Sequence, residues 1–323
     1  MTEKLLAAIY KNPDDLAMRA VYADAIGGPR GELITLQLLE APTIEQKRRM
    51  RTLIEKLGDA LLPPIHHWFL PDDHVFDGGF FAGGSLRDQG RNAHVKLERE
   101  WATVRAIGAW GSMRVFSAKL LVALASNKAL VGLRTIRGLD REDVLGLAHA
   151  KLRTVEWRSG GAWDPKKHRR LATLDELPAL ETIGILGAND QHYLKYFQEA
   201  EVVERVRRVI VDRDDQPKII AALAERGGNL RELEIRSWPH SMRPPWEIVI
   251  SRSTGDGPFD TLSANHAGRA FPIKPLVEAL AAIPKGWLKS GAITSTRTTK
   301  LAPKDKTAIA AALKKHPKAK IAM

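Results

Sequence analysis

Cysteine is absent from the 323-residue chain. That excludes disulfides, thiolate nucleophiles, iron-sulfur clusters and cysteine-based zinc sites, and leaves oxygen and nitrogen chemistry. Long apolar runs are missing too. The N-terminal MTEKLLAAIY has neither an extended apolar stretch nor a small-residue cleavage site, so a cytoplasmic protein without a membrane partner is expected. Aromatics are sparse at 6%, and Trp (8) outnumbers Tyr (4). Acidic residues are outnumbered, 38 against 50 Lys plus Arg, for a net charge of +12. The excess is local: residues 271–323 hold 11 Lys plus Arg and 2 acids, a net of +9, which leaves about +3 for the first 270. What is present, 44% hydrophobic and 27% charged residues, is the mixture of a globular chain.

The first 62 residues read as helices. Leu5, Leu6 and Ile9 form one apolar face that Pro13 ends, and Asp14 and Asp15 follow where a helix start favours caps and negative charge. The second helix stops at Gly27-Gly28-Pro29, and a third is expected after Gly31. Thr43 and Gln46 have capping-box spacing ahead of Met50, Leu53, Ile54, Leu57 and Leu61. Pro63-Pro64 closes the segment.

From about residue 110 a helical stretch followed by a short strand recurs. The strands are LRTIRGL from Leu133, LRTVEWRS from Leu152, LETIGILGAN from Leu180, VRRVIVDRD from Val206 and LRELEIRSW from Leu230. Each is read as L-x-x-h-x-h, where h is apolar, with Gly138 at the last position of the first and Val206 opening the fourth, and their starts lie 19, 28, 26 and 24 residues apart. The pattern alone is weak evidence, so recurrence at a repeat length carries the argument. Before Leu230, Pro217 suits a first helical turn and Gly227-Gly228 a stop. The tail alternates likewise: Leu276, Leu280 and Ile283 precede WLKSGAITS, and Ile309, Ala312 and Leu313 precede KAKIAM. One such unit cannot bury its own apolar face, whereas stacked units form a parallel sheet with helices behind. The expected fold is α/β, an irregular leucine-rich-repeat-like solenoid behind a small all-helical N-terminal module. The Asn expected after the strand is present only loosely, as Asn189. The expected division is 1–62 for the helical module, 63–270 for the solenoid and 271–323 for basic capping repeats.

The run LLAAIYKNPDDLAMRAVYADAIGGPRGELITLQ resembles the bacterial repeat-companion domain, a short helical module found ahead of leucine-rich repeats. The resemblance lies in L-x-A-I, P-D-D, R-x-V-Y-A-D and P-R-G-E-x-I-x-L-Q, and includes Asp14, Asp15, Arg19, Tyr22, Asp24, Arg30, Glu32 and Gln37. It covers about the first 40 residues. Two features depart from the family's pattern: Ala25 stands where the family has Trp, and the loop before P-R-G is shorter. The resemblance implies an interaction protein with no known catalytic activity. Independently of it, Gly27, Gly28 and Gly31 are expected to give the turn backbone freedom, with Tyr22, Asp24, Arg30 and Glu32 fixing the helices in a structural role.

Other constellations are set against simpler readings. IHHWFLPDDH brings together His66, His67, Asp72, Asp73 and His74, all legitimate metal ligands, yet without a zinc-signature spacing; a loop joining two domains is the competing reading. FDGGFFAGGSLR lacks the Lys-Ser/Thr ending of a phosphate loop and reads as the solenoid's first strand, with Phe76, Phe80 and Phe81 packing its end. Asp212, Asp214 and Asp215 lack the Gly and bidentate Glu of a calcium loop. No nucleophile elbow is present. The expectation is a non-enzymatic protein without metal or cofactor.

Strand alternation places Arg137, Glu156, Arg158, Arg208, Asp212, Glu232, Glu234 and Arg236 on the open, concave face, with Trp238 beyond. A charged face with a Trp and several Arg suits a protein partner, and Arg158 and Arg236 are expected to be its replaceable anchors. A generic polar surface is the plain alternative. The other functional reading is nucleic-acid binding, with Lys314, Lys315, Lys318 and Lys320, joined by Arg153, Arg205, Arg207 and Arg208, on phosphates. Against it, only Phe271 and Trp287 offer stacking surfaces in the tail.

Overall fold

The computed structural model describes every residue except 88–97, 109–128, 141–143, 145, 159–163, 165–168, 187–190, 213–215, 225, 227–228, 237–245, 254–256, 267–272, 296–301 and 323. The chain divides into two compact units: Met1–Arg137 with Leu147–Leu152, and Gly138–Gly146 with Arg153–Met323. Elements are α/β with mostly parallel strand pairing. Among the described residues no helix is long and apolar enough to cross a membrane.

The first unit begins with α1 (Thr2–Lys11), α2 (Leu16–Ile26), α3 (Gly28–Gln37) and α4 (Ile44–Leu57). Asp15 caps α2, its carboxylate accepting from the Met18 amide at 2.8 Å. Gly27 stands at φ +57° between α2 and α3, a conformation that glycine adopts without steric cost. The third helix starts at Gly28, with Pro29 in its first turn, rather than after Gly31. Gly31 supplies close approach instead of freedom: a Cβ there would lie 2.5 Å from the Ala23 carbonyl oxygen. The capping box forms as its spacing predicts, with the Gln46 amide donating to Thr43 Oγ1 (3.2 Å) and the Thr43 amide to Gln46 Oε1 (2.7 Å). Ile9, Tyr22, Ala23, Ile34 and Phe80 form one core cluster, and Leu33, Leu53 and Leu61 another.

Three 3-10 turns follow (Gly58–Leu61, Pro64–Trp68, Pro71–Asp73), and then β1 (Val75–Asp77) and β2 (Phe80–Ser85). The segment expected to be one strand is therefore a hairpin. Gly78 and Gly79, both at positive φ, make the tight turn that suits twisted antiparallel strands. After it, β2 pairs parallel with β3 (Ala106–Gly108), and β3 with the start of β4 (Thr135–Asp140).

Residues of the N-terminal motif bind this hairpin. Arg19 is buried and donates to the Asp77 carbonyl at 2.9 Å. Gln37 accepts from the Gly79 amide at 2.5 Å and donates to the Phe76 carbonyl at 3.4 Å. Asp14 is held by Arg105 (2.5 Å), Arg134 and Lys151 (3.3 Å). Burial would raise the Asp14 carboxyl, but the hydrogen bond and charge of Arg105 and the charge of Arg134 outweigh it, holding the group below the usual carboxylate range. These contacts tie the helices and the first strands together within the first unit.

The second unit contains β5 (Thr154–Arg158), β6 (Thr182–Leu186), β7 (Arg208–Asp212), β8 (Glu232–Arg236), β9 (Trp246–Ser251), β10 (Thr261–His266), β11 (Ser290–Ser295) and β12 (Lys320–Ala322). Its helices are α5 (Arg169–Thr173), α6 (Gln191–Glu199), α7 (Val202–Arg205), α8 (Gln216–Ala224), α9 (Ile273–Ala282) and α10 (Pro303–Leu313). Strands β5 to β8 pair in parallel, as do β10 to β12, while β9 runs antiparallel to both β8 and β10. That reversal departs from the expected all-parallel order. Further along, β10 pairs with β11, and α9 packs on both α8 and α10.

The L-x-x-h-x-h positions form the core. Leu152, Val155 and Trp157 are buried, as are Leu180, Ile183 and Ile185, Val206, Val209 and Val211, and Leu230, Leu233 and Ile235. The Trp157 ring meets Tyr196 of α6 edge-on at 6.0 Å, and the Tyr196 hydroxyl donates to the Leu171 carbonyl of α5 at 3.1 Å. Register is fixed by a repeated device in the residue after each leading apolar one. The Arg153 carbonyl accepts from the Glu181 and Thr182 amides, the Glu181 carbonyl from Arg207 and Arg208, and the Arg207 carbonyl from Arg231 and Glu232.

Candidate functional site

In the second unit, the side chains alternating with the apolar core positions form aligned rows. One row runs Thr154, Thr182, Arg208, Glu232, Ser251; the next runs Glu156, Gly184, Ile210, Glu234, Val249. Arg158 stands beside Leu186, and Asp212 beside Arg236 and then Glu247.

The centre of this face is closed. Glu156 is 0% exposed, Arg236 2% and Glu234 4%, which corrects the expectation that all three stand open to a partner. The physical reason is mutual charge pairing. Arg236 binds the Glu156 carboxylate and lies 3.4 Å from Glu234, which also takes Arg208 at 3.3 Å. Arg208 in turn binds Glu232, with its Nε at 2.6 Å. Glu156 on β5 and Arg236 on β8 are three strand spacings apart, about 14 Å of sheet, so their side chains must lie flat across β6 and β7. Gly184 permits this, because a Cβ there would lie 2.6 Å from Glu156 Cγ. Burial pushes the Glu234 carboxyl up, outweighing the Arg236 and Arg208 charges that pull it down.

The rim is accessible. The Arg208 side chain is 40% exposed, Arg158 is half-buried, and Asn265 on β10 is exposed while donating to Glu247 Oε1 at 3.0 Å; Arg137, also half-buried, belongs to the first unit. Asp212 ends β7 in register with Arg236. Trp238, Asn189, Asp214, Asp215, Gly227, Gly228 and Phe271 lie outside the described residues. Chemically, the central carboxylates are committed to guanidinium partners.

The histidine segment belongs to the first unit. His66 Nδ1 lies 2.8 Å from the Pro63 carbonyl and His67 Nδ1 2.5 Å from the Pro64 carbonyl, while the Ser85 hydroxyl donates to the Asp73 carboxylate. Among the described residues no group of three His, Asp or Glu is placed to hold a metal ion. Of the tail lysines, Lys314, Lys318 and Lys320 are exposed, whereas Lys315 is half-buried and donates to the Ala281 carbonyl. His316 is buried, with Nε2 3.1 Å from the Leu280 carbonyl, so this end of α10 is fixed to α9.

Two contributors were not singled out from sequence. Gly184 carried a usable signal, since glycine inside a strand pattern marks close approach of another group. The second is Asp260, which is buried, accepts from the Ser253 amide at 2.8 Å and lies 3.3 Å from Lys289 Nζ. It sits just ahead of β10, in a stretch without a repeat signature. In comparison with known proteins, no family model, no curated protein and no solved structure matches this chain.

Proposed function

We propose that the protein is a non-enzymatic, cytoplasmic interaction scaffold: a repeat-companion-like helical module followed by an irregular leucine-rich-repeat-like solenoid that binds a protein partner through the polar face of its strands. The observation that carries this reading is the division of labour on that face. A buried ion network, Glu156–Arg236–Glu234, holds the strands in place, while at its margin Arg158 is half-buried and Arg208, paired with Glu232 and Glu234, keeps 40% of its side chain exposed. Arginine presented on a rigid surface is the type of side chain that concentrates binding energy. Charge reversal is therefore informative at Arg158 but not at Arg236, where it would break the buried network. The test is partner binding by Arg158→Ala, because Arg208→Ala would also unpair the buried Glu234. Affinity is expected to drop at least about tenfold, the effect of losing one anchor, with an unchanged far-UV circular dichroism spectrum. Equal affinity would refute the assignment.

A second reading is favoured by one specific observation, the exposure of Lys314, Lys318 and Lys320 beside α10 in a region with few acids. These lysines would bind nucleic-acid phosphates without sequence preference. Fluorescence anisotropy of a labelled random duplex and an RNA of equal length, at low and near-physiological salt, tests it. Binding that survives the higher salt and is lost when the three lysines become Gln supports this reading. Binding absent at both salts rejects it.

A further inference from the structure

The first unit contains a cavity of about 520 Å³ between the C-terminal end of α4, the 3-10 turns and the start of β1. Its size falls in the range of small-molecule sites, and its lining has the two-part character of such sites. One part is apolar: Leu62, Phe69 and Phe76. The other is basic: His66, His74 and Arg87, with His67 alongside. Among the described residues Asp59 is the one acid in the wall.

The walls are preformed. The Arg87 amide donates to the Trp68 carbonyl and the Leu70 amide to the Ser85 carbonyl, both at 2.8 Å, and Phe69 bridges Leu86 between them. The His66 ring packs edge-on against both His67 (6.3 Å) and His74 (6.2 Å), so the imidazoles form one cluster. In their neutral forms His66 and His67 give the Nδ1 hydrogen to the Pro63 and Pro64 carbonyls, which leaves Nε2 of each for other partners. Burial, and after it the charge of His66, holds the His74 imidazole below the usual histidine range. An anion entering the cavity would favour protonation there.

We propose that this cavity binds a small amphipathic anion, with a carboxylate facing Arg87 and the imidazoles and an apolar body against Leu62, Phe69 and Phe76. The site is separate from the polar face of the second unit, and neither assignment depends on the other.

The experiment is isothermal titration of the full chain with decanoate and with decanamide, which has the same apolar body and no charge. Decanoate is expected to bind once per chain and at least about tenfold more tightly than the amide, through the charge of Arg87. Leu62→Trp, which fills the cavity, should abolish binding. Arg87→Gln, at an exposed side chain, should reduce decanoate to the amide's affinity even if the Leu62 variant fails to fold. The proposal is overturned if decanoate does not bind, if the amide binds as well, or if Arg87→Gln leaves the decanoate affinity unchanged.

Discussion

Replacing Arg236 with Met retains most of the side chain's length while deleting the cation between Glu156 and Glu234. The magnitude follows from burial. Glu156 is 0% exposed and Glu234 4%, so the carboxylates left behind have little access to solvent. Removing one member of such a buried pair costs about 3–5 kcal/mol, against about 0–1 kcal/mol for an exposed one. A second variant separates pairing from packing. With Glu156→Leu added to Arg236→Met, most of the loss should return, because replacing both charges with apolar groups is often close to neutral. The expected coupling is about 2–4 kcal/mol. Urea denaturation followed by far-UV circular dichroism measures it, provided the slopes with denaturant stay equal. A loss below about 1 kcal/mol for Arg236→Met, the value of a surface pair, would refute the reasoning, as would a double variant no more stable than the sum of its parts.

Three further outcomes follow from the same geometry. Gly184→Ala places a Cβ 2.6 Å from Glu156 Cγ and should cost about 1–3 kcal/mol in thermal or chemical denaturation, whereas an unhindered strand glycine would gain slightly; a gain would contradict the account. Because the Asp14 carboxyl is depressed in the folded protein, its contribution is present above the ordinary Asp value of about 3.9 and lost as pH falls through the folded value. Asp14 is 41% exposed, so Asp14→Asn should cost only about 1 kcal/mol at pH 7, converging with wild type in acid; equal stability at pH 7 would count against the anchoring role. The Glu234 carboxyl is shifted the other way. Its contribution is present below about 4.3 and lost as pH rises through the folded value, so the stability of wild type should fall relative to Glu234→Gln between acid and neutral pH, and parallel profiles would refute this.

The strands were legible because their signal is local and repeated. Each of β4 to β8 begins two residues after the Leu or Val that opens its L-x-x-h-x-h pattern, and the burial of that apolar set follows from the period of two. Helix α4 was legible from its cap, and α9 and α10 from their apolar spacing. The start of α3 was misplaced because Gly27, not Gly31, holds the positive φ. The reversal at β9 was hidden because Trp246 to Ser251 alternates as any half-buried strand does, and alternation does not encode direction. For the candidate site, sequence gave the residues and their face but not their exposure. Periodicity assigns Glu156, Glu234 and Arg236 to the polar side; only the register that brings β5 and β8 within reach across Gly184 shows that they neutralise one another. Asp14 is similar, since its partners Arg105, Arg134 and Lys151 are 91 to 137 residues away in the chain.

The central claim is that the margin of the polar face, with Arg158 as its anchor, binds a protein partner. The most direct measurement is affinity capture from extract of the cells that make the protein, comparing wild type with Arg158→Ala, both verified as folded, and quantifying retained proteins by mass spectrometry. The account predicts a defined protein retained by wild type, lost from the variant, and bound directly by the purified wild-type chain. Identical sets of retained proteins from the two baits would contradict it.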